Sequence, residues 1–166
     1  MHPTDSYPRY HTVIDLFKRQ LKSFETFVQE NSLGTIDPLQ YEMTYVNHIP
    51  KGEGWNEISD LGKVLRNYDF NGTEKRFLPV EEGVNLRTTF ALPDRKGRLH
   101  ASIRNGKRKD DSKPVLLLEL TVRGFPGDGA REAMWEWFDV AREWIVRGFT
   151  DITSDEIQKT VWRRTR

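Results

Sequence analysis

The chain has 166 residues, 26 Lys and Arg against 25 Asp and Glu, a formal net charge of +1 and no cysteine. That length suits one ordinary domain over 1–166, and the missing thiols exclude disulfides, thiolate metal sites and cysteine nucleophiles. A charge balance near zero supplies no global attraction for nucleic acid or an anionic membrane, no apolar run approaches the ~20 residues of a spanning helix, and the opening MHPTDSYPRY lacks the regions of a secretory signal, so a soluble cytoplasmic protein is expected.

Tyr10 to Asn31 reads as a helix. Ile14, Phe17, Leu21, Phe24 and Val28 recur at alternating spacings of 3 and 4, one stripe that Leu16 and Phe27 widen. Lys18, Arg19, Lys22 and Glu25 take the polar side. Gly34 follows the helix, and Asp37-Pro38 prevents its continuation. Tyr41 to Ile49 is the first strand. Tyr41, Met43, Tyr45, Asn47 and Ile49 share one face; Glu42, Thr44, Val46 and His48 share the other. The Asn47 amide is expected to bind backbone where the chain enters the Pro50–Gly54 loop. Beyond that loop, Trp55, Ile58 and Leu61 have the spacing of one side of a short helix. Val64 to Phe70 fits neither period. Asn71-Gly72-Thr73 matches a glycosylation triplet, which carries no meaning without secretion.

Three alternating runs follow. In Val84 to Leu92, Val84, Leu86, Thr88, Phe90 and Leu92 oppose Asn85, Arg87, Thr89 and Ala91. In Arg98 to Asn105, Leu99, Ala101 and Ile103 oppose Arg98, His100, Ser102 and Arg104. In Val115 to Arg123, Leu116, Leu118, Leu120 and Val122 oppose Val115, Leu117, Glu119, Thr121 and Arg123. A Pro93–Gly97 turn and a polar loop over 105–114 join them. Strict alternation in consecutive strands predicts an antiparallel sheet with one dry and one wetter face.

A second long helix closes the chain. Asp128 is its expected N-cap, with Glu132 in the first turn. Met134, Trp137, Phe138, Ala141, Ile145 and Phe149 form its apolar stripe, flanked by Trp135 and Trp144. Thr153 with Glu156 has the pattern of a capping box for a short last helix ending near Trp162. The predicted fold class is α+β. An antiparallel sheet of four to five strands forms one layer, and the long N-terminal and C-terminal helices pack together on one of its faces.

Certain residues carry a resemblance. They are Tyr7, Pro8, Tyr10 and Phe17, then Glu42, Tyr45, Asn47 and Ile49, then Asp139, Phe149, Thr153 and Trp162. With these the chain resembles the C-terminal portion of a sporadically distributed bacterial protein family of unknown function, over most of its length. Members of that family usually have a further segment before the tyrosine-rich helix, so the resemblance implies that this chain is a fragment or a short variant. They often have His where this chain has Arg142, so a role for that His does not carry over. The resemblance implies an α+β fold and brings no activity, cofactor or catalytic residue.

The wetter sheet face gathers the groups best suited to chemistry: Glu42, Thr44, His48, Arg87, His100, Arg104, Glu119 and Arg123, with Asn85, Thr89, Ser102 and Thr121 among them. Glu42 or Glu119 has the chemistry of a general base, His48 or His100 of a proton shuttle, and Arg87 of an anion clamp. The same residue types also make the solvated side of a one-sided sheet, with opposite charges paired across strands. A third reading covers this face with another segment or subunit, because Val46, Val115 and Leu117 lie among the charges.

Other chemistries find less. His2, His11, His48 and His100 show no i, i+4 pair and no HExxH pattern, so no metal is expected. No GxSxG elbow or phosphate loop is present, and the glycine-rich run over 124–129 reads as a turn and cap. Basic hairpin tips and the WRRTR ending could touch a nucleic-acid backbone, but Asp110 and Asp111 dilute one of the loops and the net charge is near zero. The isoelectric point near 8.0 also argues against nucleic acid as a partner. Tyr7, Tyr10 and Trp55 are candidates to line a pocket, while Trp135 and Trp144, off the main stripe, are the candidate interface residues.

The expected function is a non-enzymatic binding or protein-interaction module with no cofactor, whose partner is another protein or a second copy of the chain. The rival reading is a small cofactor-independent hydrolase or isomerase working from the polar sheet face. A weaker rival binds nucleic acid through the hairpin tips.

Overall fold

The computed structural model describes residues 8–66, 68, 77–124 and 131–162. Expectations placed on Tyr7, on Asn71-Gly72-Thr73, on Asp128, on the Glu132 side chain and on the basic run after Trp162 lie outside the described residues and side chains. The chain divides into two compact units, Met1–Leu39 and Gln40–Arg166.

The first unit holds α1, Tyr10–Glu30, with the amphipathic pattern its sequence predicts. None of its residues is buried. The helix stops earlier than glycine would require. Ser32 takes a left-handed φ of 53°, and Leu33 N donates to Val28 O at 3.0 Å. Asn31 Nδ2 donates to Phe27 O at 2.8 Å, so the last carbonyls are satisfied before Gly34 is reached.

The second unit begins with β1, Tyr41–Pro50. A 3-10 turn over Ile58–Asp60 runs into the short helix α2, Leu61–Val64. Then come β2 (Asn85–Ala91), β3 (Arg98–Lys107), β4 (Pro114–Gly124), α3 (Arg131–Ile152) and α4 (Asp155–Thr160). The fold class is α+β, with one four-stranded antiparallel sheet in the order β1-β4-β3-β2. The alternation within each strand therefore predicts the sheet correctly, and the last strand falls between the first and third.

α3 packs on β4 and β1. Tyr41 meets Trp137 edge-on at 5.5 Å between ring centroids and stacks on Phe138 at 5.7 Å. Gly148 lets α3 lie close on β3: a Cβ there would stand 2.8 Å from Leu99 Cδ2. Leu99, Ala101, Ile103, Leu116, Leu118, Leu120 and Val122 are buried beneath, as their parity predicts. β2 departs from that pattern. Its inner-parity residues Thr88 and Phe90 stay exposed, because β2 is the edge strand furthest from β1 and β4, where α3 lies.

Two local expectations are corrected. The cap of α4 is Ser154, whose Oγ accepts from Ile157 N at 3.3 Å, and not Thr153. Thr153 is wholly buried: it bridges to Leu65, and its hydroxyl donates to Phe149 O at 2.7 Å. Asn47 does bind backbone, but at its cross-strand partner rather than at the loop: Nδ2 donates to Leu118 O at 3.2 Å. Trp55 closes the end of β1 instead, its indole donating to Ile49 O at 2.9 Å. Among the described residues no helix is long and apolar enough to cross a membrane.

Candidate functional site

The face opposite α3 is a grid fixed by strand register. Reading across β1, β4, β3 and β2, the first row is Glu42, Arg123, Arg98 and Ala91. The second is Thr44, Thr121, His100 and Thr89, and the third is Val46, Glu119, Ser102 and Arg87. The fourth is His48, Leu117, Arg104 and Asn85. All eight polar-face candidates stand on this one surface. Side chains of one parity leave a strand on one side, so four strands in register must bring them together.

Polar contacts run mainly along the rows. Arg123 Nε donates to Glu42 Oε2 at 2.5 Å. The Thr44 and Thr121 hydroxyls share a hydrogen bond of 2.9 Å, and Thr44 also donates to Glu42 Oε1 at 3.4 Å. Thr89 Oγ1 lies 3.2 Å from His100 Nδ1. Burial, then the Arg87, Arg123 and Arg98 guanidiniums, hold the His100 imidazole below its ordinary value, and Glu42 opposes them.

Exposure differs along the grid. Glu42, Thr44, His48, Arg87, Arg104 and Arg123 are exposed, whereas His100 and Glu119 are half-buried. Thr121 is buried, so the polar parity is drier along β4 than the sequence predicts. The three apolar residues on this face separate. Val46 is 43 % exposed, Leu117 is half-buried and Val115 is fully buried within the chain. Val115 is therefore no part of an open contact surface.

The grid holds charge without assembling an acid–base pair. Among the described residues, neither imidazole is hydrogen-bonded to a carboxylate: His100 meets Thr89, and Glu42 meets Thr44 and Arg123. A general base needs a substrate atom within reach of both groups, and Arg123 and Thr121 occupy the space between Glu42 and His100 on the grid. Among the described residues no three His, Asp or Glu side chains gather as a metal site would require.

Two hollows lie elsewhere. One, of about 290 Å³, is bounded by Phe90 and Leu99 of the sheet and by Trp144, Arg147, Gly148 and Ile152 of α3. The other, of about 520 Å³, is bordered by Trp55, Ile58, Val80, Asn105 and Pro114. Neither is lined by a residue of the polar grid. Of the two candidate interface tryptophans, Trp144 is half-buried at the first hollow, and Trp135 is half-buried with its ring 6.2 Å from that of Phe138.

Arg98 is the residue that reading the sequence left out of the candidate set. Its alternation with Leu99 already places it in phase with His100 and Arg104; what makes it notable is the register that sets it directly opposite Arg123. Comparisons with known proteins return no match for this chain, whether among family models, curated proteins or solved structures.

Proposed function

We propose that the chain is a non-enzymatic protein-binding module that works through the open face of its sheet. The observation that supports this reading is the grid itself. Six of its eight candidate side chains are exposed on a surface opposite α3, with Val46 exposed among them. Charged and hydroxyl groups around an apolar contact suit recognition of another protein surface. The enzymatic reading has less support, since Glu42 is held by Arg123 and His100 meets Thr89, and none of the grid's carboxylates or imidazoles lines either hollow described above. The same proposal places the chain in the bacterial family that its motifs resemble and in the cytoplasm, with another protein or a second copy as partner.

A photo-crosslinking residue at Val46, compared with one at Asp110 in the β3–β4 turn, tests this in the native host. Discrete adducts from position 46 alone are expected. Adducts absent from both positions, or equal at both, overturn the reading.

A further inference from the structure

The open face is divided in charge. Its β1–β4 half carries Glu42 and Glu119 beside Arg123, whereas its β3–β2 half carries Arg87, Arg98, Arg104 and His100 with no carboxylate. Glu42 is already engaged by Arg123. Arg87, Arg98 and Arg104 are exposed, and among the described residues none of them forms an ion pair. Arg98 also stands directly opposite Arg123, and like charges in that position destabilise a sheet. A folded surface that accepts this cost gains most from an anion laid across it.

Spacing narrows the anion. Successive rows of a strand face lie ~6.8 Å apart. Arg98, Arg87 and Arg104 stand in the first, third and fourth rows, so three of the four rows carry an arginine on β3 or β2. Thr89, Ser102 and Asn85 supply hydroxyl and amide groups between them. We propose that the β3–β2 half of this face binds an extended acidic protein segment with carboxylates at alternate residues. Such a segment projects one carboxylate every ~6.8 Å on one side, matching the rows, and each guanidinium offers a planar fork to a carboxylate. Burial is the main reason the His100 imidazole holds a proton weakly, and the Arg87, Arg123 and Arg98 guanidiniums add to it.

Other occupants fit less well. The grid carries no Phe, Tyr or Trp on which a base would stack, and its two imidazoles stand apart, His48 in the fourth row on β1 and His100 half-buried in the second row on β3. A second copy would bring the same excess, four arginines against two glutamates. The inference rests on the reading of this face as a binding surface and names the chemistry of its partner.

The test is a fluorescence-anisotropy titration of the whole chain with a labelled alternating Glu-Ser peptide, beside an alternating Lys-Ser peptide and an oligothymidylate of matched length. The Glu-Ser peptide is expected to bind, with affinity falling about tenfold both on raising salt from about 50 to about 300 mM and in the Arg87→Ser/Arg98→Ser double variant. A Lys107→Ser/Lys109→Ser variant at the β3–β4 turn keeps wild-type affinity. Unchanged binding by the double variant, absence of binding at low salt, or tighter binding of the oligothymidylate overturns the inference. If the peptide fails while position 46 still forms adducts, the acidic segment falls and the binding face stands. If both fail, both readings fall.

Discussion

Arg123 is held on one side by Glu42, Nε to Oε2 at 2.5 Å, and faced on the other by Arg98, which has no carboxylate of its own among the described residues. The ion pair is close to half exposed on both sides, so its own contribution is about 0.5 kcal/mol. Its two charges also act on the imidazole nearby. Among the described residues Glu42 is the charge that raises the proton affinity of His100 against Arg87, Arg123 and Arg98. Glu42→Gln is therefore expected to push the His100 pKa lower still, while Arg87→Gln raises it. An NMR titration of the His100 ring decides this, and movement in the opposite direction in either variant rejects it.

The same depression sets a pH dependence of stability. His100 is harder to protonate in the folded chain than at its ordinary 6.5, mainly because it is partly buried. Its contribution is thus fully present above about 6.5 and is withdrawn as pH falls from there toward the folded value. His100→Gln removes that component. Urea midpoints at neutral and mildly acidic pH should converge in the variant, and an unaltered pH dependence would contradict the assignment.

Asp60 titrates at the acid end. Lys63 Nζ at 2.7 Å, and the Asn56 and Glu57 backbone N–H groups at 2.8 and 3.1 Å, hold its carboxyl at about 2 against an ordinary 3.8. For an acid with a lowered folded pKa, the stabilisation is present above 3.8 and lost as pH falls toward about 2. Asp60→Asn is expected to cost about 1 kcal/mol at neutral pH and to flatten the stability profile in that acid window. Chemical denaturation at stepped pH measures both, and a parallel loss at every pH would show that the charge is not the cause.

Gly97 and Gly52 separate two costs of replacing glycine. Both take positive φ, 136° and 95°. A Cβ on Gly97 would stand 2.1 Å from Arg123 O, whereas one on Gly52 meets nothing within 4 Å. Gly52→Ala is expected to cost about 1 kcal/mol from backbone conformation alone. Gly97→Ala should cost about 3 kcal/mol or more, because the β2–β3 turn must leave the end of β4. Equal thermal shifts would refute this difference.

Trp137 and Trp144 differ in the same controlled way. Trp137 is buried, and its indole donates to Lys96 O at 2.8 Å, tying α3 to the β2–β3 turn. Trp137→Phe keeps most of the ring and leaves that carbonyl without its donor, at a cost of about 1–2 kcal/mol. Trp144→Phe, half-buried at the 290 Å³ hollow, should cost less than about 1 kcal/mol. Guanidinium melts of the two variants provide the comparison.

Much of this protein could be read from its residues because the decisive periodicities are local. A strand turns alternate side chains to opposite sides whatever lies nearby, so Glu42, Thr44, His48, Arg87, His100, Arg104, Glu119 and Arg123 were bound to share a face once their strands paired. The α1 stripe and the α3 stripe follow from the helical period in the same way. Opposition and cover are different in kind. Insertion of β4 between β1 and β3 is what puts Glu42 and Arg98 on either side of Arg123 and pairs Thr44 with Thr121. The position of α3 leaves Phe90 exposed, and closure of the chain around Thr153 moves the α4 cap to Ser154. These outcomes depend on contacts between residues far apart in the chain, whose register is set by loops and packing together. Local spacing assigns a side chain to a face; only the assembled sheet assigns it a neighbour.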